Sequence, residues 1–321
     1  MQITTPVRHA VFMGSKSLGL NILKSLVKET RGIKWSIIHP NDSTDPRSTL
    51  SDFNSFAREQ DLDILVATSS QAAKAMLADM MPDIGFVCGW YWLIDSETLD
   101  GVSHGLWGAH NSLLPKYRGG APLVWSILNG DEIVGSTVFR ISEGMDDGDI
   151  LCQVAIKLDT TQDISDALFQ IEGELISKLP AKWSELISGV ATVVKQNDDD
   201  ATYCGQRNEE DGLVDWTRHA CDIHNFVRAQ APPYPCAFTF LGQTRIKLLR
   251  TRVFPGIYYG TPGQVLRRNK QSVLISCGDG SAIELMNIRV GSDAHEESPP
   301  QVIKSVKDRL TTVPISPEAL S

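Results

Sequence analysis

The chain has 321 residues, 42% of them hydrophobic, which is enough for one large or two ordinary domains with full cores. A formal net charge of −9 and a pI near 5.3 argue against a partner gripped mainly through phosphates, because such proteins gather Lys and Arg on one face. No apolar run reaches the roughly 18 residues of a membrane span, and the N-terminus lacks a charged segment leading into an apolar one, so no membrane partner and a cytoplasmic location are expected.

From the start, short apolar runs alternate with amphipathic ones: Ala10 to Met13, a helical pattern with Leu20, Leu23 and Val27 inward, then Trp35 to Ile38. Further strand-like runs follow at Ile64 to Ala67, Ile84 to Cys88, Leu106 to Ala109 and Thr137 to Ile141, with a helix predicted over Ala72 to Met80. This βαβ rhythm predicts an α/β, Rossmann-like, mostly parallel sheet with right-handed crossovers. The turn after the first strand, Gly14 to Gly19 (GSKSLG), fits neither GxGxxG nor the Walker spacing, so it reads more readily as a strand-to-helix turn than as a phosphate cradle.

Thr160 with Asp163 makes a capping-box start for a helix carrying Ile164, Leu168, Ile171, Leu175 and Ile176 on one side, which Pro180 is expected to kink or divide. A polar run, Asn197 to Ala201, marks the domain boundary, giving a first domain over 1–200. A helix over His219 to Ala229 and five strand-like segments then predict a smaller, barrel-like second domain over 201–291. The remainder, 292–321, is polar and proline-marked and reads as an extended tail with a short helix near Lys304 to Leu310. The six cysteines are scattered singly, with no CxxC and no ligand cluster of metal spacing; buried free thiols and no metal are expected.

Two loops after strands carry the chemistry. His110 to Pro115 (HNSLLP) offers an imidazole, and Gly144 to Asp149 (GMDDGD) offers the carboxylate of Asp146. An isolated histidine at a strand end serves as a structural hydrogen-bonder as readily as a base, but the two lie within a longer pattern, SLLPKYRGGAPLVWSILNGD followed by GSTVFRISEGMDDGDIL. That pattern resembles the formyltransferases that use 10-formyltetrahydrofolate, a family that includes methionyl-tRNA, glycinamide ribonucleotide and sugar N-formyltransferases. RNEEDGLVDW, IHNFVRA and PPYPCAFTFLG resemble the C-terminal domain of the methionyl-tRNA and aminoarabinose members.

The resemblance implies an acyl transfer from folate to an amine, with His110 as base and Asp146 as the carboxylate that stabilises its cation. The family usually carries an oxyanion-donating asparagine two residues before the histidine; here that position is Gly108, with Asn111 a doubtful substitute because strand neighbours point to opposite faces. By motif match the 10-formyltetrahydrofolate co-substrate would lie against Trp90, Tyr91, Trp92 and Leu93 and against Ile141, Gly144, Met145 and Asp147, though the aromatic trio could equally serve only in packing. Ser112, Tyr117 and Arg118 would border the acceptor, or Arg118 would brace its loop.

The tRNA-specific members carry a basic insertion after the second strand, where this chain has the acidic HPNDSTDPRSTLSDF. A tRNA partner is therefore disfavoured, and a nucleotide-linked amino sugar is the expected acceptor. Methionyl-tRNA or hydroxyornithine as acceptor, hydrolysis to formate, and a folate- or sugar-nucleotide-binding protein impaired by Gly108 are the alternatives. A homodimer is compatible with the sequence.

Overall fold

A computed structural model describes residues 5–45, 48–291 and 295–314. The chain divides into two compact units: Met1–Gly119, Gly135–Ala155 and Gln170–Cys204 form the first, and Gly120–Val134, Ile156–Phe169 and Gly205–Ser321 the second.

The first unit is built on β1 (His9–Gly14), α1 (Lys16–Glu29), β2 (Lys34–Pro40), α2 (Leu50–Gln60), β3 (Asp63–Ala67), α3 (Ser70–Met80), β4 (Ile84–Cys88), α4 (Ser96–Asp100) and β5 (Leu106–His110). A two-residue strand β6 (Arg118–Gly119) and a helix α5 (Pro122–Leu128) precede β7 (Ile133–Arg140) and β8 (Ile150–Lys157). These strands form a seven-stranded sheet in the order β3-β2-β1-β4-β5-β7-β8. Pairing is parallel from β3 to β5, as the βαβ rhythm predicts, and turns antiparallel between β5 and β7. That reversal sets Gly108 against Phe139 and His110 against Thr137.

Both faces of the sheet are covered, and β1 shows why its run is continuously apolar. Alternate side chains go to opposite faces: Phe12 stacks with Phe86 and packs on Phe53, while Val11 and Met13 join Ala73, Leu77 and Val87 on the other side. The helix α6 (Ile164–Ile187) closes the Phe86 face, with Trp183 fully buried between Trp35 and Phe86. Each such aromatic contributes about 1.5–3 kcal/mol by burial alone. The expected kink is not realised as a break: α6 runs through Pro180 for 24 residues. Its stripe of Ile171, Leu175, Leu179 and Trp183 is buried on both sides of the proline, so packing holds the helix across the missing N–H. Its cap is Asp163, not Thr160: the Asp163 carboxylate accepts from the Ser165 and Asp166 amides, and Asp166 accepts from the Asp163 amide.

A two-residue strand β9 (Tyr203–Cys204) pairs in parallel with β6. The second unit includes α5 and then α7 (Ala220–Arg228), β10 (Ala237–Leu241), β11 (Thr244–Val253), β12 (Val265–Arg268), β13 (Val273–Ser276), β14 (Ala282–Val290), α8 (Pro299–Val302) and β15 (Leu310–Thr311). Its six strands form an antiparallel sheet in the order β12-β13-β14-β11-β10-β15. The two edges meet at one bridge, Gln264 to Arg309, making a barrel-like half-shell around Val227, Ile246, Ile275 and Ile288.

The extended-tail reading fails over 295–314, because Ile303 and Leu310 are buried in this core and β15 pairs with β10. The short helix is α8 at Pro299–Val302 rather than Lys304 to Leu310. The reading of 292–294 and 315–321 lies outside the described residues. The cysteines are free thiols, but they are not uniformly buried: Cys221 is exposed, and Cys152 and Cys204 are half-buried. Among the described residues no helix is long and apolar enough to cross a membrane.

Candidate active site

His110 ends β5, and its ring is fixed from one side. Nε2 lies 2.8 Å from the carbonyl oxygen of Tyr117. A carbonyl can only accept, so Nε2 carries the proton and the neutral ring keeps its lone pair on Nδ1. Nδ1 faces Asp146 Oδ2 at 3.6 Å, too long for a hydrogen bond but close enough for an ion pair once Nδ1 is protonated. The side chains are 10% and 26% exposed, so the pair is sheltered yet reachable. The ring is thus oriented by the Tyr117 carbonyl, and Asp146 is placed to answer the charge that protonation creates.

The backbone that brings these groups together is strained at two points. Tyr117 has φ 60° and Asp146 has φ 51°, in the left-handed region. Aspartate tolerates it; a bulky tyrosine does so at a cost of about 1–3 kcal/mol that the surroundings must impose. Those surroundings are visible: the Tyr117 amide donates to Thr202 Oγ1, the Arg118 amide to the Thr202 carbonyl, and the Gly119 amide to Asp146 Oδ2 at 2.8 Å. The β6–β9 pair therefore presents the Tyr117 carbonyl to His110 and the Gly119 N–H to Asp146.

Arg118 is engaged within this loop. Its guanidinium, 3% exposed, donates to Gln196 Oε1 through Nε and Nη2, to Asp198 at 2.9 Å and to the Tyr203 hydroxyl. Burial alone would lower its pKa, but the hydrogen bonds it donates to Asp198 and Tyr203 hold it above the usual arginine value. Ser112 is buried with its hydroxyl on the Lys116 carbonyl. Cys204 Sγ lies 3.4–3.5 Å from the Tyr117 and Arg118 carbonyls, and burial, then the Asp146 charge, push its thiol pKa up.

At Gly108 the structure explains the absent side chain. A Cβ there would lie 3.3 Å from Ile141 Cδ1 and 3.4 Å from the Val87 carbonyl oxygen, so Ile141 fills the space beside the glycine. Asn111 follows β5, and its side-chain oxygen is buried with no hydrogen-bond partner. Ile141 also lines a hollow of about 310 Å³ with Leu99, Leu106, Ser142, Glu143 and Gly148, the size of a small-ligand pocket. Trp90 and Trp92 pack edge to face at 5.1 Å and line a separate, smaller hollow with Leu93. Tyr91 turns away from them to Asp42 and Lys16.

The sequence-predicted cofactor residues are therefore split: Ile141 lies in the larger hollow, and Trp90, Trp92 and Leu93 in the smaller. Gly144, Met145 and Asp147 belong to the loop that carries Asp146. In that loop the Ser142 hydroxyl donates to Asp147, and a Cβ on Gly144 would strike the Asp147 carboxylate. Sequence reasoning missed Leu106 as a pocket wall and Gln196 and Thr202 as supports. Gln196 directly precedes a polar run and carries no local signal of burial. Among the described residues no group of three or more His, Cys, Asp or Glu side chains could hold a metal.

Comparison with known proteins matches this arrangement to a family. Residues 48–178 match the family model "Formyl transferase" and residues 207–308 "Formyl transferase, C-terminal domain". The methionyl-tRNA formyltransferase of Geobacter sulfurreducens is 30% identical over 280 residues, covering 85% of this chain and 86% of the relative. A sugar 3N-formyl transferase solved in the presence of dTDP and 5-N-formyl-THF superposes with a TM-score of 0.68 at 19% identity, over 90% of this chain and 100% of that one. The N-formyltransferase of Helicobacter canadensis, solved with folinic acid and dTDP-3-aminofucose, gives 0.66 at 18%, over 87% and 99%. With both family models matched in order and a relative at this identity along most of the chain, the protein belongs to the formyl transferase family and is a formyltransferase.

Proposed function

We propose that this formyltransferase moves the formyl group of 10-formyltetrahydrofolate to the primary amine of a small acceptor, a nucleotide-linked amino sugar. The observation that carries the reading is the His110 ring, with Nε2 tied to Tyr117 and Nδ1 left facing a carboxylate. Nδ1 takes the proton that the amine must lose as it attacks the formyl carbon, and Asp146 stabilises the resulting imidazolium. The same proton is then available to the departing folate nitrogen. Tyr117 and Ser112, in the loop that follows His110, are assigned to the acceptor side, and Arg118 braces that loop.

The folate is assigned to the 310 Å³ hollow, whose wall residue Ile141 packs against Gly108, two residues along β5 from His110. Leu99, Leu106 and Ile141 suit the flat face of a pterin, and main-chain groups of the Arg140 to Glu143 segment suit its polar edge. Trp90, Trp92 and Leu93, which line the separate smaller hollow, and Tyr91, which turns to Asp42, then lie outside the slot. With Ile141 in the place of an asparagine side chain, the formyl oxygen must be met by a donor other than residue 108.

The connection after β2 supports a small acceptor. Asp42 and Asp45 lie there, and among the described residues Lys16 is bound by both at 2.8 Å, so this charge is already engaged by carboxylates rather than open to a phosphate backbone. One similar structure is described as a sugar 3N-formyl transferase and another was solved with dTDP-3-aminofucose, which points the same way. Methionyl-tRNA is the second reading, favoured by the 30% identity to methionyl-tRNA formyltransferases. Incubation with 10-formyltetrahydrofolate and a panel of dTDP-3-aminofucose, nucleotide-linked 4-amino sugars and methionyl-tRNA, read by mass spectrometry for an added formyl group, decides between them. Formylation of methionyl-tRNA alone would overturn the sugar reading, and formate release without any amine would replace it with hydrolysis.

A further inference from the structure

We infer that Gln196 is a positioning residue that staples together the two loops of the reacting pair. This rests on the reading of His110 and Asp146 given above. The Gln196 side chain is buried, 6% exposed, and every hydrogen-bonding position of its amide is used. Oε1 accepts from Arg118 Nε at 3.1 Å and Nη2 at 2.9 Å. Nε2 donates to the Asp146 carbonyl at 2.7 Å and to the Gly148 carbonyl at 2.8 Å. Because one end faces a guanidinium and the other two carbonyls, the amide orientation is fixed by chemistry.

Each end of this amide reaches one half of the pair. Arg118 lies between Tyr117, whose carbonyl holds His110 Nε2, and Gly119, whose amide holds Asp146 Oδ2. The carbonyls of Asp146 and Gly148 belong to the turn in which Asp146 takes its left-handed conformation. Without the amide, Arg118 keeps Asp198 and Tyr203, but the turn loses two of the hydrogen bonds that hold it in that conformation. Neither tightening the arginine nor stiffening the turn alone would set the distance between ring and carboxylate; the amide spans both. A displacement of about 1 Å between such groups costs on the order of a hundredfold in rate.

Two variants test this. Gln196→Met keeps the volume and removes all four hydrogen bonds. Gln196→Glu keeps the Arg118 contacts and sets oxygen against the two carbonyls. With whichever of dTDP-3-aminofucose or methionyl-tRNA is formylated, both should lose about a hundredfold in kcat with acceptor KM changed less than about threefold. Side-chain nitrogen NMR of the protein without substrate gives a readout independent of the acceptor. In alkaline buffer the His110 ring, assigned by the signals lost in His110→Asn, should show one protonated nitrogen, Nε2, in the unsubstituted protein. In Gln196→Met the two nitrogens should move toward averaged shifts.

Unsubstituted-like kcat and an unchanged Nε2–H signature in both variants would overturn the inference, and so would loss of activity confined to Gln196→Met with unsubstituted-like Gln196→Glu. If His110→Asn and Asp146→Asn instead keep full turnover, the reading of the pair falls. The ring signature alone then judges Gln196.

Discussion

Two strand ends of the same mostly parallel sheet each set a basic side chain against carboxylate, and they differ in how completely the charges close on one another. After β1, Lys16 Nζ sits 2.8 Å from both Asp42 and Asp45, and Asp42 accepts in addition from Ser48 and Tyr91. Burial would lower the lysine pKa, but the hydrogen bonds to Asp42 and Asp45 push it well above the usual value. After β5, His110 and Asp146 stand 3.6 Å apart, each held by a backbone group rather than by the other. A charge pair in contact is finished and serves as a brace. A pair held just out of contact, with one ring nitrogen fixed and the other facing an anion, is still able to take up a proton.

The sharpest break in that comparison comes from removing the two groups proposed to react. His110→Asn and Asp146→Asn should each reduce turnover by about 10³-fold. Both should leave the melting temperature within about 2 °C, since asparagine at 146 keeps an oxygen for the Gly119 amide. Comparable activity in either variant would remove the β5 end from the chemistry. Next is the packing beside it: Gly108→Asn must push Ile141 out of its place in the hollow. Folinic acid should bind about tenfold more weakly, and adding Ile141→Val should recover most of the loss. If Gly108→Asn alone binds normally and turns over faster, Ile141 does not compete for that space.

The β1 end should answer in the opposite currency. Lys16→Met leaves the Asp42 side chain, 5% exposed, without its cation, at a cost of about 2 kcal/mol. The melting temperature should fall by about 5 °C while kcat stays within about twofold. A large loss of kcat without a loss of stability would mean that this cluster works in catalysis.

The contrast between the two ends was only partly legible in the sequence. The run from Ala10 to Met13 and the spacing of Leu20 and Leu23 predict β1 and α1 because period and burial coincide there. His110 and Asp146 stand out because each lies at the end of a strand-like run inside a longer pattern. The distance between them depends on Thr202, Cys204 and Gln196, 50 or more residues away in the chain, which help place a Tyr117 carbonyl that no side-chain pattern encodes. The helix α2 also went unread, since its start lies in a polar, acidic stretch and its inward residues are few: Phe53, Phe56 and Ala57. Residues 46 and 47 of that stretch lie outside the described residues. Lys16 gave no signal, because its partners Asp42 and Asp45 follow β2 and come beside it only through the pairing of β2 with β1.

The smallest effect tests whether the closed cluster is a brace through its charge. Burial would raise the Asp42 carboxyl pKa, but the hydrogen bonds from Lys16 and Ser48 hold it below the usual carboxylate value. The folded protein therefore binds this proton less tightly than the unfolded chain, whose carboxyls titrate at about 3.9. The stabilisation is present above that value and lost as the pH falls through the lower folded one. Asp42→Asn should accordingly melt below the unsubstituted protein by an amount that is constant from neutral pH down to about 5 and shrinks with further acidification. A stability gap for Asp42→Asn that persists unchanged into acid would assign the role of Asp42 to its shape and hydrogen bonds rather than to its charge.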